Sequence, residues 1–261
     1  MKWIRKDFPQ IDGYETLGDD VTAKRFTDFR IDGLLDASYP VGLFRDRFQE
    51  RQELCDFVIV DFDYPFRWGI PTDKHDNNWF DGNCCHRITQ DYWQIASETL
   101  MTLILNQRVN KKGYGDCEDV SLLLTTLLLE KGWPAYECLG LVLQDGQMLG
   151  GHGWTIFQDE TGIWRLYEAT LDLPPEYPGG YPQIDPEESS WEVNGLIYQG
   201  LIKFNRDEYY ESSEGDMLSS SLKLNTARKE TRKKYFAISK AWGQIAKPLK
   251  RVGIMSRLRW R

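Results

Sequence analysis

The stretch Gly113-Tyr-Gly-Asp-Cys-Glu-Asp-Val-Ser121, with the apolar run behind it, decides how the chain is read. Residues 118–131 (Glu-Asp-Val-Ser-Leu-Leu-Leu-Thr-Thr-Leu-Leu-Leu-Glu-Lys) hold no glycine or proline, and Gly132 stands where a left-handed residue ends a helix. Asp116 has the side chain of an N-cap. Glu118 and Asp119 fall in the first turn, where the helix dipole favours negative charge. Cys117 is therefore expected as the first helical residue, with its sulfur near backbone N–H groups that lack intrahelical partners. Such a position lowers a thiol pKa and favours the nucleophilic thiolate, while the three neighbouring carboxylates oppose it. Only Ser121, Thr125 and Thr126 are polar in the middle of the helix, which marks it as buried.

A nucleophile needs a base. The chain has three histidines, His75, His86 and His152, and only His152 lies in a strand-like stretch after the helix. Gly153–Gln158 reads as a strand, Asp159-Glu-Thr-Gly162 as a turn and Ile163–Glu168 as a second strand. His152 and Glu168 then stand at adjacent ends of a hairpin. Their separation is even, so a loop with an odd number of residues puts both on one sheet face. Thiol, imidazole and carboxylate in that arrangement make a nucleophile, a base and an orienter of the base. Asp172 is the alternative acid.

Gly115-Asp-Cys-Glu-Asp119 at a helix start, His152 followed by Gly-Trp, and the Trp164-x-x-x-Glu168 strand resemble the transglutaminase-like superfamily. Within it the chain is most similar to the bacterial transglutaminase-like cysteine peptidases. Asp91-Tyr-Trp93 and Glu98-Thr-Leu100 resemble the segment those proteins carry before the cysteine, and the resemblance covers roughly residues 90–172. It implies an α+β fold: a papain/transglutaminase-like core, with the nucleophile at the N-terminus of a buried helix packed on an antiparallel sheet. It also implies a Cys117-His152-Glu168 triad acting on amide bonds of a protein or peptide. The family's acid is usually Asp; Glu168 is one methylene longer. Met101–Tyr114 is also a longer insertion than the family carries. No cofactor is implied as required, but Asp116 and Glu118 are implied as Ca²⁺ ligands.

At 41% hydrophobic and 28% charged residues the composition is globular, not disordered. No apolar run reaches membrane-spanning length, and Met1–Pro9 has no apolar core of a signal peptide, so neither a transmembrane segment nor a leader is expected. The expected location is the cytoplasm or an assembly. Five cysteines are an odd count, and Cys84 and Cys85 are adjacent; free thiols in a reducing compartment are expected. His75 with Cys84-Cys85-His86 invites a zinc reading, but the spacing of a Cys-x-x-Cys site is missing and a loop is expected instead. Cys138 is expected in a core strand.

Four regions follow: an aromatic-rich segment 1–88 packing on the core, the core 89–205, an acidic, serine-rich linker 206–221 and a tail 222–261. Asp28–Asp36 and Val41–Phe48 suggest short helices or irregular wrapping. Phe57–Phe62 reads as a strand, Asp63–Pro71 as an aromatic loop and Thr89–Val109 as a helix beside that of Cys117. Leu173–Pro182 is a Pro/Gly-rich loop next to the acid. Trp191–Tyr198 and Gly200–Phe204 suggest one further hairpin.

From Ser221 onward there are 13 lysines and arginines against one acid, Glu230, in a chain of net charge −8. The basic tail suits its own acidic body, an acidic protein partner, an assembly, an anionic membrane surface or nucleic acid. Two functional readings remain: a cysteine hydrolase, and a non-catalytic interaction module on the same fold anchored by the tail.

Overall fold

The computed structural model describes residues 1–17, 21–63, 94–107, 112–171, 175 and 179–213. The chain opens with strand β1 (Trp3–Lys6) and an antiparallel ribbon of β2 (Gln10–Leu17) and β3 (Val21–Arg30). A 3-10 turn (Ile31–Leu35), helices α1 (Val41–Arg45) and α2 (Arg51–Asp61) and the short strand β4 (Phe62–Asp63) follow. Helix α3 (Ala96–Gln107), strand β5 (Gly113–Tyr114) and helix α4 (Cys117–Glu130) lead into the main strands. These are β6 (Ala135–Gln144), β7 (Gln147–Gln158), β8 (Trp164–Tyr167), β9 (Ser190–Val193), β10 (Leu196–Phe204) and β11 (Tyr209–Ser212). A seven-stranded sheet runs β1-β11-β10-β6-β7-β8, with β9 also on β10. Every pairing in it is antiparallel, so the architecture is α+β.

Helix α4 is the centre of the core. Every residue from Cys117 to Leu128 is buried, as expected of a helix apolar all round. It packs on β6 and β7, with α1, α2, α3 and the 3-10 turn around it. Gly132, at φ +72°, ends it in the left-handed region that a residue with a Cβ enters only at a cost.

Two tight hairpins set the sheet register. Asp145-Gly146 (φ 51° and 75°) joins β6 to β7, and Asn194-Gly195 (φ 52° and 78°) joins β9 to β10. Both dipeptides have positive φ twice, the geometry that matches strand twist. Between β7 and β8 the last pair is Gln158↔Trp164, which leaves the five-residue loop 159–163. Asp159 staples that loop, accepting from Thr161 N (2.8 Å), Thr161 Oγ1 (2.6 Å) and Ile163 N (3.0 Å).

Several expectations are corrected. Phe57–Asp61, read as strand up to Phe62, instead closes helix α2, burying Leu54, Cys55, Phe57, Val58 and Ile59, and only Phe62 enters a strand, β4. A short apolar run fits either element, and here Phe57 gains contacts with Phe44, Phe48 and Phe62 that a helix supplies. Of the helix read over Thr89–Val109, Ala96–Gln107 is α3, while Gln94 lies before it in bonds with Asp119; residues 89–93, 108 and 109 lie outside the described residues. The late hairpin turns at Asn194-Gly195, inside the stretch read as its first strand. Tyr209–Ser212, read as linker, is strand β11, which pairs with both β10 and β1. The N-terminal segment thereby contributes a strand to the main sheet. His75, Cys84, Cys85, His86, the 63–71 loop beyond Asp63, Asp172 and the tail 222–261 lie outside the described residues. Among the described residues no helix is long and apolar enough to cross a membrane.

Strand β7 lies so close to α4 that a Cβ on Gly153 would sit 2.8 Å from the Glu118 Cα. Gly153→Ala should therefore cost about 1–3 kcal/mol of stability. Urea unfolding would measure it; an unchanged midpoint would mean that strand and helix can part at no cost.

Candidate active site

Local chemistry builds the N-terminus of α4. Asp116 and Asp119 form a capping box, in which each side chain faces the other's backbone N–H; Asp116 N donates to Asp119 Oδ2 at 3.3 Å. Gln94 fixes Asp119 further, donating from its backbone N to Oδ1 (2.8 Å) and from Nε2 to Oδ2 (2.6 Å). Burial still pushes the Asp119 carboxyl up to about 7, despite the bonds from Gln94 and Asp116. Cys117 is the first helical residue, as its sequence position suggests, and is 4% exposed. Its thiol donates to Glu118 Oε2 at 3.1 Å.

Strand β7 brings His152. The residue after it, Gly153, is the one pressed against the first turn of α4, so the imidazole is delivered to the level of Cys117. Glu168 follows the last residue of β8. The register Thr155↔Tyr167 puts it beyond the end of the ladder on the face shared by His152 and Trp154. The odd loop makes this so.

The structure brings His152 and Glu168 into a fully buried pair: His152 Nε2 donates to Glu168 Oε2 at 2.6 Å. Tyr198, from β10, donates its hydroxyl to the same oxygen at 2.9 Å. Thr170 donates from its backbone N (3.0 Å) and from Oγ1 (2.5 Å) to Oε1. Nε2 is engaged, which leaves Nδ1 as the ring nitrogen for the thiol. Nδ1 makes no closed hydrogen bond, yet the Cys117 sulfur is near enough to act on the ring. Burial disfavours the charged imidazole, but the Glu168 carboxylate and the Cys117 sulfur outweigh it and hold the pKa up to about 9. Burial likewise opposes ionisation of Glu168; the charge of His152 and the Thr170 donors overcome it and keep the carboxyl below its ordinary value.

Thr170 and Tyr198 were not singled out by the sequence reading. Thr170 has a local signal, since a hydroxyl two residues after a carboxylate readily closes a turn on it. Tyr198 has none, because it arrives from another strand. The other described thiols, Cys55 and Cys138, are fully buried in the core, where burial pushes both pKa values well up. With Cys117 they are free cysteines.

Asp116, Cys117 and Glu118 place one ligand atom each within 4.8 Å of one another. Calcium takes about six to eight oxygens. Two carboxylates, one engaged in the helix cap and one by the thiol, plus a sulfur do not match that preference. A calcium ion there would need further oxygens beside the carboxylates of Asp116 and Glu118.

No protein-family model matches the chain, and no curated protein matches it. Among solved structures it is similar to Legionella pneumophila LapG. An EGTA-treated form aligns at 14% identity over 66% of this chain and 83% of LapG, with a TM-score of 0.31. A second LapG structure covers 69% and 90%, and a calcium-bound one 74% and 96%, at the same identity and TM-score. A likeness this distant assigns no activity.

The buried pair predicts a pH dependence. His152 has its folded pKa raised to about 9, so its contribution is complete below the ordinary value of about 6.5 and is lost as pH rises through 9. Glu168 is shifted down; its contribution is present above about 4.5 and is lost as pH falls through the folded value. Unfolding free energy should thus fall between pH 6.5 and 9.5 in the wild type and much less in His152→Gln. The same alkaline loss in both proteins would show that the pair is not its source.

Proposed function

We propose that the chain is a thiol-dependent hydrolase with a transglutaminase-like core, acting on amide bonds of a protein or peptide. The observation that carries this reading is the buried 2.6 Å bond between His152 and Glu168, on an imidazole that Cys117 also perturbs. A nucleophile at the start of a buried helix, packed on antiparallel strands that carry the base and then the acid, supports it. The order Cys, His, acid along the chain supports it too.

In this reading the Cys117 thiol proton already rests on His152 Nδ1 before substrate binds, as the imidazole pKa of about 9 favours, and the site begins as a thiolate–imidazolium pair. The thiolate adds to the carbonyl carbon, and the negative charge moves to the carbonyl oxygen, which the N–H of Cys117 at the helix N-terminus stabilises. The imidazolium gives its proton to the leaving nitrogen, the C–N bond breaks and an acyl thioester remains. His152 then takes a proton from water, whose hydroxide adds to the thioester. Collapse releases the acid and restores the thiolate–imidazolium pair. Glu168 keeps the imidazole oriented through Nε2–H and stabilises its charge. Tyr198 and Thr170 keep Glu168 ionised and in place. An amine in place of water would give transamidation. Calcium enters none of these steps; Asp116 and Glu118 would be the carboxylates nearest to it.

The second reading is a non-catalytic module. It is favoured by one observation: the thiol donates to the Glu118 carboxylate at 3.1 Å, an arrangement that keeps its proton in place.

Alkylation by iodoacetamide at neutral pH, mapped by residue, separates the two. The hydrolase reading expects Cys117 to react about tenfold or more faster than Cys55 and Cys138. It expects His152→Ala and Glu168→Gln to slow Cys117 by a similar factor, with Glu168→Asp retaining part of the rate. A Cys117 rate indifferent to His152 would leave the interaction module standing.

A further inference from the structure

A second buried acid stands behind the proposed nucleophile, and no step above uses it. Glu137, on β6, is 0% exposed and pairs with Thr155 of β7 in the sheet register. Its side chain meets hydroxyls from α4: Ser121 Oγ lies 2.6 Å from Oε1, and Thr125 Oγ1 lies 3.2 Å from Oε2. Thr125 Oγ1 is also 3.0 Å from Thr155 Oγ1, Thr155 Oγ1 donates to the Ser121 carbonyl at 3.1 Å, and Ser121 Oγ donates to the Glu118 carbonyl at 3.1 Å.

Counting protons assigns the charge state. These five contacts share three hydroxyl protons, one each on Ser121, Thr125 and Thr155. Ser121 cannot donate to Glu118 and to Glu137 with a single proton. A carboxylate would therefore leave two contacts without a proton between their oxygens. A carboxylic acid that donates from Oε1 to Ser121 Oγ leaves one. Burial acts in the same direction and pushes the acid well above its ordinary value, against the bonds from Ser121 and Thr125.

We infer that Glu137 is a positioning residue: as a neutral acid it ties the first turns of α4 to β6 and β7, and so holds Cys117 opposite His152. The ladder reaches the site at both ends. On α4 it ends on the carbonyl of Glu118, next to Cys117; on β7 it ends at Thr155, three residues past His152. The inference rests on the nucleophile–base reading above. Its chemistry is hydrogen bonding alone, and Glu137 touches no reacting atom.

The test uses the full chain, with iodoacetamide alkylation of Cys117 as readout and circular dichroism as the check on folding. Glutamine repeats the neutral acid's pattern, with an N–H toward Ser121 and a carbonyl toward Thr125. Glu137→Gln should therefore alkylate within about twofold of the wild type, while folded Glu137→Leu and Ser121→Ala should each slow by about tenfold or more. If Glu137→Leu does not fold, Ser121→Ala, a smaller change, decides. The infrared difference between wild type and Glu137→Gln should show the loss of a protonated-carboxyl C=O band. Unaltered rates in Glu137→Leu and Ser121→Ala, with His152→Ala slow, overturn the positioning role and leave the hydrolase reading intact. So does a slow Glu137→Gln, or a difference spectrum with no such band. A His152→Ala rate equal to wild type overturns the hydrolase reading and this inference with it. Loss of stability without loss of alkylation rate in the folded protein assigns Glu137 a structural role only.

Discussion

The structure turns on one close approach, between the first turn of α4 and strand β7 at Gly153. A Cβ there would meet the Cα, Cβ and N of Glu118 at 2.8–3.1 Å. The two residues in contact each follow a residue of the proposed chemistry: Glu118 comes after Cys117, and Gly153 after His152. Fixing one backbone contact therefore fixes the separation of thiol and imidazole. The helix cannot retreat from the strand, because its other sides are buried against α1, α2, α3 and the 3-10 turn. Close packing transmits a constraint of this kind with little slack.

Electrostatics divides the buried acids around this contact into two kinds. Glu168 is ionised in spite of full burial because it faces a cationic imidazole and accepts from Tyr198 and Thr170 as well. Glu137 is equally buried, and burial with the nearby Cys117 sulfur raises it against the hydroxyls of Ser121 and Thr125; among the described residues no cation is shown to offset its desolvation. Asp119 falls between them: N–H donors from Gln94 and Asp116 temper its burial and leave it near 7. Three acids within one helix–strand junction thus differ in charge because their partners differ. Charge in the site is set by what each carboxyl faces, a cationic imidazole above all, not by the count of carboxylates.

Much of this junction is legible in the chain, and residue by residue the reason is locality. The cap at Asp116, the helical start at Cys117 and the stop at Gly132 depend on residues within one turn of each other. The hairpin that carries His152 and Glu168 is equally local, since Asp159 closes its own loop. The misreadings fall where distant segments compete. Phe57–Asp61 is apolar and β-branched, and only its packing with Phe44, Phe48 and Phe62 makes it helical. Tyr209–Ser212 lies in a polar stretch with no strand pattern of its own. It becomes a strand because β10 and β1 each offer it an edge. In the late hairpin, Asn194-Gly195 carried a turn signal that the longer apolar runs on either side masked.

Capping and periodicity, which act over a few residues, place the nucleophile at a helix start and bury that helix; the chain's pattern sets only the condition, an odd loop, under which His152 and Glu168 share a face. Tertiary packing supplies the rest: the loop spans 159–163, so that His152 and Glu168 do share a face, Tyr198 joins Thr170 on Glu168, Gln94 holds Asp119, and Glu137 lies among the hydroxyls of α4 and β7. Those partners are brought together by strand order and helix packing. The charge of a buried group is the sum over whatever packing places beside it, and no local pattern carries that sum.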